Sequence, residues 1–389
     1  MPLLPQDELH LARALHLARA AVSLASPNPT VGCVIVRGEH ILGEGAHHFD
    51  AFDHAEIVAL KQAACLGHDV RGATAYVTLE PCSHHGRTGP CADALIAAGI
   101  ARCMVATVDP NPLVRGNGIA RLRAADIETT VLDSATPLAR KARRLNDAFA
   151  EFIQWKRPFV TLKAAVSIDG RLAPPPHTRQ DQEPYWLTGE SARADVQQLR
   201  NASDAILTGI GTVLADDPSL TDRSGLPRRR PLLRIVMDTH LRTPPKARLF
   251  PANGDVLIAC SESAPVDAEK ALIDQGAEVL RLPAGVFGRP DPSSLLRELG
   301  ARKHILSLFI EGGTHINDTF LQQNLVDKVV LYFADVELGV DGVKFAKRWP
   351  SPYELVQRMT ETTRTTFPNG TTEDVRITGY RHDPWSAVA

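Results

Sequence analysis

Two short motifs constrain this 389-residue chain more than anything else in it: His54-Ala55-Glu56, and Pro81-Cys82 followed by Cys91. One imidazole and two thiols are ligands of the kind that hold zinc. A catalytic zinc takes three protein ligands and leaves its fourth position to water, whose pKa it brings near 7. Three ligands so far apart in sequence can meet only if the fold turns several segment ends toward one point. Residues 77–79 read as a strand that Pro81 ends, because proline cannot continue a ladder. Cys91 opens an apolar run over residues 92–98 that reads as a helix, and a helix N-terminus favours thiolate. Glu56 is a carboxylate in this cluster that is not itself a ligand. A structural zinc, or no metal, is the competing reading.

The bulk numbers limit the class. A chain of this length exceeds one ordinary core, so two domains are expected. With 44% apolar and 23% charged residues it has the composition of a soluble globular protein. A net charge of −2 gives no electrostatic reason to expect nucleic acid or an anionic membrane as partner. No run approaches the roughly 18 apolar residues of a membrane span. Residues 1–8 carry no basic n-region, so a secretion signal is not expected and a cytoplasmic location is. Six cysteines are too few for a disulfide framework; Cys33, Cys65, Cys103 and Cys260 are expected as buried free thiols.

Periodicity predicts a helix over 9–24 with Asp7 as a possible cap, then a hairpin whose strands cover 31–36 and 41–43. Helices follow at 55–64, 92–98 and 119–125, with strands at 75–79, 103–108 and 129–132. This alternation argues a sheet covered by helices on both faces. A basic helix over 138–155 ends at Lys156-Arg157-Pro158, which sets the expected domains at 1–150 and 157–389. The second series has strand candidates starting at 159, 205–208, 233–237, 256–259, 278–282, 306–310 and 328–333. Its helices are expected at 192–200, 268–275, 294–299 and 317–323. The proline-rich stretch 173–184 reads as an exposed loop.

Several motifs together resemble one known family. The loop from Cys82 to Cys91, Cys-Ser-His-His-Gly-Arg-Thr-Gly-Pro-Cys, stands with Asn28-Pro29-Thr30-Val31-Gly32-Cys33-Val34, Thr78-Leu79-Glu80-Pro81 and Asp109-Pro110-Asn111-Pro112. This set is similar to the bacterial bifunctional riboflavin-biosynthesis deaminase/reductases. In zinc-dependent deaminases a glutamate beside the metal shuttles protons from water to the leaving amine. The resemblance therefore implies His54, Cys82 and Cys91 as zinc ligands and Glu56 as the proton shuttle. It implies Asn28, His84 and Arg87 at the substrate; Arg87 offers a planar fork to a phosphate. The histidines of this loop are alternatively solvated loop residues. Gly89 stands where the family usually has proline, which should loosen the loop but spares the ligands.

In the second half, Glu311-Gly312-Gly313-Thr314 lies between an apolar strand and a helix, a turn that can present backbone N–H groups to a phosphate. Alone it is a common turn. With residues 162–170, Trp186-Leu187-Thr188 and 212–218, it stands in the order of that family's reductase domain. The resemblance implies NADPH as cofactor, with Ala165, Trp186, Thr212, Asp216, Gly313, Thr314, His315, Ile316, Asn317, Asp318 and Thr319 around it. It implies Arg200, Leu220, Arg223 and Glu311 at the substrate, and Lys163 as proton donor or polariser at the reacting carbon. Arg200 and Arg223 are alternatively a solvent-facing ion pair. Pro184 replaces a serine that the family places two positions before Trp186, which removes a hydroxyl contact.

The expected fold is α/β: an N-terminal cytidine-deaminase-like α/β/α layer domain followed by a C-terminal dihydrofolate-reductase-like α/β domain. The expected function is zinc-dependent deamination of a phosphorylated aminopyrimidine, then NADPH-dependent reduction of its ribose. Partners are expected to be small-molecule phosphorylated pyrimidines, with no nucleic acid and no membrane, and the chain is expected to be a homo-oligomer. A free cytidylate or cytosine deaminase is the rival enzyme. A deaminase carrying only a binding module is the rival from another class.

Overall fold

The computed structural model describes residues 3–84, 89–178, 185–250, 254–285, 288–349 and 351–386. It divides into two compact units, Met1–Trp155 with Pro384–Ala389, and Lys156–Asp383. In the first, β1 (Gly32–Arg37), β2 (His40–Ala46), β3 (Thr74–Val77), β4 (Arg102–Val105) and β5 (Glu128–Val131) form one sheet, ordered β2-β1-β3-β4-β5. The β1 pairings are antiparallel, and β3, β4 and β5 run parallel. Strand alternation sends Cys33 and Ile35 to one face, where they pack with Ala55, Ala59, Leu95 and Leu122 of three helices. Val34 and Val36 point to the opposite face, against Leu11 and Ala14 of the helix Pro5–Ala20 and Ala139 and Ala142 of Pro137–Leu145. Gly32 permits that contact: a Cβ there would lie 2.1 Å from the Ala14 carbonyl oxygen.

Three expectations are corrected in this unit. Asp7 caps nothing; the helix starts at Pro5, and buried Asp7 accepts from Tyr76 Oη at 2.8 Å and from Arg102 at 2.8 and 3.0 Å. The single helix over 138–155 is two, Pro137–Leu145 and Asp147–Trp155. Asn146 interrupts it by turning its carboxamide to the backbone of Thr30, accepting from N–H at 2.7 Å and donating to C=O at 3.0 Å. Cys65 is exposed, because the buried stripe of its helix runs through Ala55, Ala59 and Ala63 and misses it.

The second unit holds a nine-stranded sheet. Its strands are β6 (Phe159–Ser167), β8 (Ala205–Gly209), β9 (Leu233–Met237), β10 (Val256–Ser261), β11 (Ala277–Leu282), β12 (Ser307–Ile310), β13 (Lys328–Ala334), β15 (Thr360–Asn369) and β16 (Thr372–Tyr380). They are ordered β11-β10-β9-β8-β12-β6-β13-β16-β15, with β7 (Arg171–Ala173) and β14 (Val343–Lys344) forming a separate small ribbon. All pairs from β11 to β13 are parallel, whereas β13, β16 and β15 pair antiparallel. Parallel strands bury both faces, and every residue of β8, β9 and β10 is buried. No helix of the described residues is long and apolar enough to cross a membrane.

Candidate active sites

In the first unit three ligand atoms converge. His54 is the N-cap of the helix Ala55–Cys65, and Cys91 is the first residue of the helix Cys91–Ala97. His54 Nδ1 lies 3.5 Å from Cys82 Sγ and 3.3 Å from Cys91 Sγ, and the three ligand atoms all lie within 4.8 Å of one another. Tetrahedral zinc with ordinary bond lengths sets such N···S separations at about 3.6 Å, so the donor set fits that ion. Cys82 Sγ also accepts the Cys91 backbone N–H at 3.3 Å. The Cys82 thiol is pushed down by its contact with the Cys91 thiol, against burial, with the His54 ring adding to the effect. Glu56, buried one residue into its helix, has its carboxyl raised to about 7 by burial, with the charge on Cys82 adding.

Two groups brace this cluster that sequence reasoning did not single out. Glu80 is buried two residues before Cys82 and accepts backbone N–H groups from Asp109, Gly116, Gly118 and Ile119, at 2.9 to 3.4 Å. It thereby ties the segment carrying Cys82 to the start of the helix Asn117–Ala124. The signal available was an acid beside a Pro-Cys pair, but its partners lie some thirty residues downstream. His47 is buried, its ring edge-on to His54 at 5.2 Å. Its Nδ1 faces the Asp53 carbonyl at 2.8 Å and so must donate, which leaves Nε2 to accept from Asn28 Nδ2 at 3.0 Å. Asn28 thus reaches the ligand cluster through His47. His84 is exposed and Gly89 has open space around it. Arg87, His85 and Pro184 lie outside the described residues.

The second unit has a cavity of about 900 Å³ at the carboxyl ends of β8 and β12, where ligands of parallel sheets bind. Lys163 and Ala165 of β6 form its floor, and Thr212 and Asp216 one wall. Glu311, Gly313, Thr314, His315 and Ile316 form another wall. No side chain caps the helix Thr314–Gln322, so its first N–H groups suit a dinucleotide phosphate. Lys344 and Lys347 add cations at the rim. The donor set therefore fits NADPH.

The remaining expected residues are placed differently. Asn317 donates to the Phe345 carbonyl at 3.0 Å, Asp318 accepts from Arg348, and Thr319 donates to the His315 carbonyl at 2.8 Å. Trp186 lies in a separate depression with Arg193, whose guanidinium stands 5.2 Å from the ring. Arg200 is buried and paired with Glu311, so it is not a solvent-facing ion pair; Arg223 is exposed. Leu220 is buried with φ +52°. Burial would raise Glu311, yet Arg200, Lys163 and Arg223 outweigh it and hold its carboxyl at about 2. Lys163 is pushed down by burial, with Glu311 opposing and Arg200 adding.

Comparison with known proteins follows this division. Residues 4–107 match the cytidine and deoxycytidylate deaminase zinc-binding region, and residues 158–371 match the RibD C-terminal domain. The pair defines a zinc-dependent pyrimidine deaminase joined to a reductase. The riboflavin biosynthesis protein RibD of Escherichia coli is 40% identical over 347 residues, covering 86% of this chain and 89% of that protein. The Aquifex aeolicus protein of the same name is 38% identical over 86% of this chain and 88% of its own length. Among solved structures, the Thermotoga maritima diaminohydroxyphosphoribosylaminopyrimidine deaminase/5-amino-6-(5-phosphoribosylamino)uracil reductase superposes with a TM-score of 0.78. It shares 31% identity and covers 96% of this chain and 99% of its own. Acinetobacter baumannii RibD superposes at 0.76 with 33% identity, covering 96% and 98%. The chain belongs to the RibD family, the bifunctional deaminase/reductases of riboflavin biosynthesis, with zinc and NADPH as cofactors.

Proposed function

We propose that the first site removes the 2-amino group of 2,5-diamino-6-ribosylamino-4(3H)-pyrimidinone 5′-phosphate, and that the second reduces the resulting 5-amino-6-(5-phosphoribosylamino)uracil. His54, Cys82 and Cys91 would hold zinc, which would supply Lewis acidity to the attacking water. Glu56 takes a proton from that water and passes it to the departing amine, so that ammonia leaves as a neutral molecule. Asn28 and the loop carrying His84 and Arg87 orient the substrate. The convergence of three ligand atoms beside a buried carboxylate carries this reading.

In the second half NADPH supplies the hydride. Lys163 delivers the proton to the ribose oxygen that becomes a hydroxyl as the ring opens. Arg200, Leu220, Arg223 and Glu311 bind the substrate, while Ala165, Trp186, Thr212, Asp216 and the 313–319 turn bind the cofactor. The division into a deaminase at 1–150 and a reductase at 157–389, a cytoplasmic location and a homo-oligomeric state belong to the same proposal. The four cysteines that are not zinc ligands form no disulfide, which supports a reducing compartment.

Product masses with and without NADPH test the order of the two reactions. Cys82→Ser should lose most of about one equivalent of zinc. Glu56→Gln should keep the metal yet lose deamination by at least ~10²-fold, with reduction of supplied intermediate unchanged. A metal-free protein that still deaminates would overturn the assignment.

A further inference from the structure

Lys163 stands between two braces that spring from one helix. On β6 it shares a sheet face with Ala165, and the β6/β13 register sets these residues beside Val330 and Tyr332. The same face carries Phe309 of β12 and is covered by Ala192 and Val196 of the helix Glu190–Asn201. Arg200 of that helix clamps Glu311. One and a half turns earlier, Asp195 accepts from Tyr332 Oη and, at 2.5 Å, from Arg376 of β16. Tyr332 is fully buried, and Lys163 Nζ lies 5.7 Å from its ring centroid, within the reach of a cation–π contact.

We infer that Tyr332, fixed by Asp195, is a positioning residue that holds the Lys163 ammonium at the reductase site. This rests on the proposed role of Lys163 as proton donor. Burial works against an ammonium here, and two groups offset it: the Glu311 carboxylate and the negative face of the Tyr332 ring. A phenol donating to a carboxylate is electron-rich, which strengthens that face. The other charges around Lys163 are Arg200 and Asp195 on the covering helix, Arg223 in the loop after it, and Arg376 behind Tyr332. Across the cavity stand Asp216, His315, Lys344 and Lys347. Among these elements β13 presents the uncharged Tyr332 ring to the ammonium, a feature that the hydride transfer itself does not require.

The test replaces Tyr332 by phenylalanine and then by phenylalanines of increasing ring fluorination, which drain the ring face with little change of shape. In full-length protein, competitive acetylation read by mass spectrometry gives the titration of Lys163 directly. Tyr332→Phe, which loses the Asp195 hydrogen bond, should move the titration slightly lower, and the most fluorinated ring should move it about 0.4–1.5 pH units lower. The alkaline limb of reductase kcat should move with it, while NADPH affinity stays constant and reports intact folding. A Lys163 titration unchanged across a series that still binds NADPH would overturn the inference. Lys163→Ala separates the two ideas: normal reduction by that variant rejects the proton-donor role, whereas the labelling series judges Tyr332 independently.

Discussion

Arg200 and Glu311 meet through two parallel hydrogen bonds, Nε to Oε1 at 2.7 Å and Nη2 to Oε2 at 2.9 Å, while Arg200 Nη1 donates to the Thr221 carbonyl at 2.7 Å. The fork leaves the guanidinium little freedom, and it joins the helix Glu190–Asn201 to the end of β12. Lysine cannot reproduce it, because an ammonium is a point charge. Arg200 is thus placed to fix Glu311 and, through it, the charge beside Lys163.

The pair makes stability depend on pH in a definite direction. Glu311 titrates at about 2 when folded against an ordinary 4.5, so its stabilising contribution is complete above 4.5 and is lost as pH falls toward 2. The shift corresponds to about 3 kcal/mol. Urea unfolding of the wild type should show stability falling between pH 4.5 and 3. Glu311→Gln should be less stable at pH 7, because Arg200 is left buried and unpaired, and it should lose that part of the slope. Identical slopes in the two proteins would reject the depressed value.

Gly118 gives a way to disturb the metal site without touching a ligand. A Cβ there would lie 1.9 Å from the Pro81 carbonyl oxygen, a backbone atom that cannot swing aside, with Glu80 Oε1 at 3.3 Å. Gly118→Ala must therefore push the Pro81-Cys82 segment away. Groups supporting metal ligands typically cost 10- to 100-fold in metal affinity when changed. Competition with a chelator should show zinc held at least ~10-fold more weakly in Gly118→Ala. Gly116→Ala, open at Cβ but at φ +79°, serves as a comparison for strain alone. Equal zinc affinity in wild type and Gly118→Ala would show that the segment yields freely.

How much of this was legible beforehand depends on the range of the interactions. Residues 233–237 read as a strand from their mostly apolar, β-branched sequence, and β9 has those ends. The hairpin around Arg37-Gly38 was equally local. The ligand residues carried their own chemistry. The β15–β16 hairpin did not, because its first strand is mostly exposed and threonine-rich, with no apolar alternation to betray it. Glu80, His47 and Tyr332 were invisible for another reason. Glu80 and Tyr332 are defined by partners far away in sequence, as Tyr332 is by Asp195, 137 residues earlier, and the role of His47 depends on the loop that turns it toward His54. The break at Asn146 likewise follows from Thr30, and no helical periodicity encodes it.

Pro384 onward groups with the first unit. There Trp385, 2% exposed, packs with Ala150 and Val108. Its Nε1 donates to Asp147 Oδ1 at 3.0 Å, and Arg143 stacks 5.4 Å from its ring. Removing a buried tryptophan side chain typically costs 3–5 kcal/mol. In a unit of this size that lowers the unfolding midpoint by on the order of 10 °C. Trp385→Ala should therefore release zinc at a distinctly lower temperature than wild type, as followed by a metal-sensitive dye during heating. Trp385→Phe keeps most of the packing and loses one hydrogen bond to a carboxylate, so its shift should be smaller, near 1.5–3 kcal/mol. Zinc release at the wild-type temperature in Trp385→Ala would mean that the C-terminal residues contribute nothing to the deaminase unit, and a fragment ending near residue 150 should then be as stable as the first unit in the whole chain.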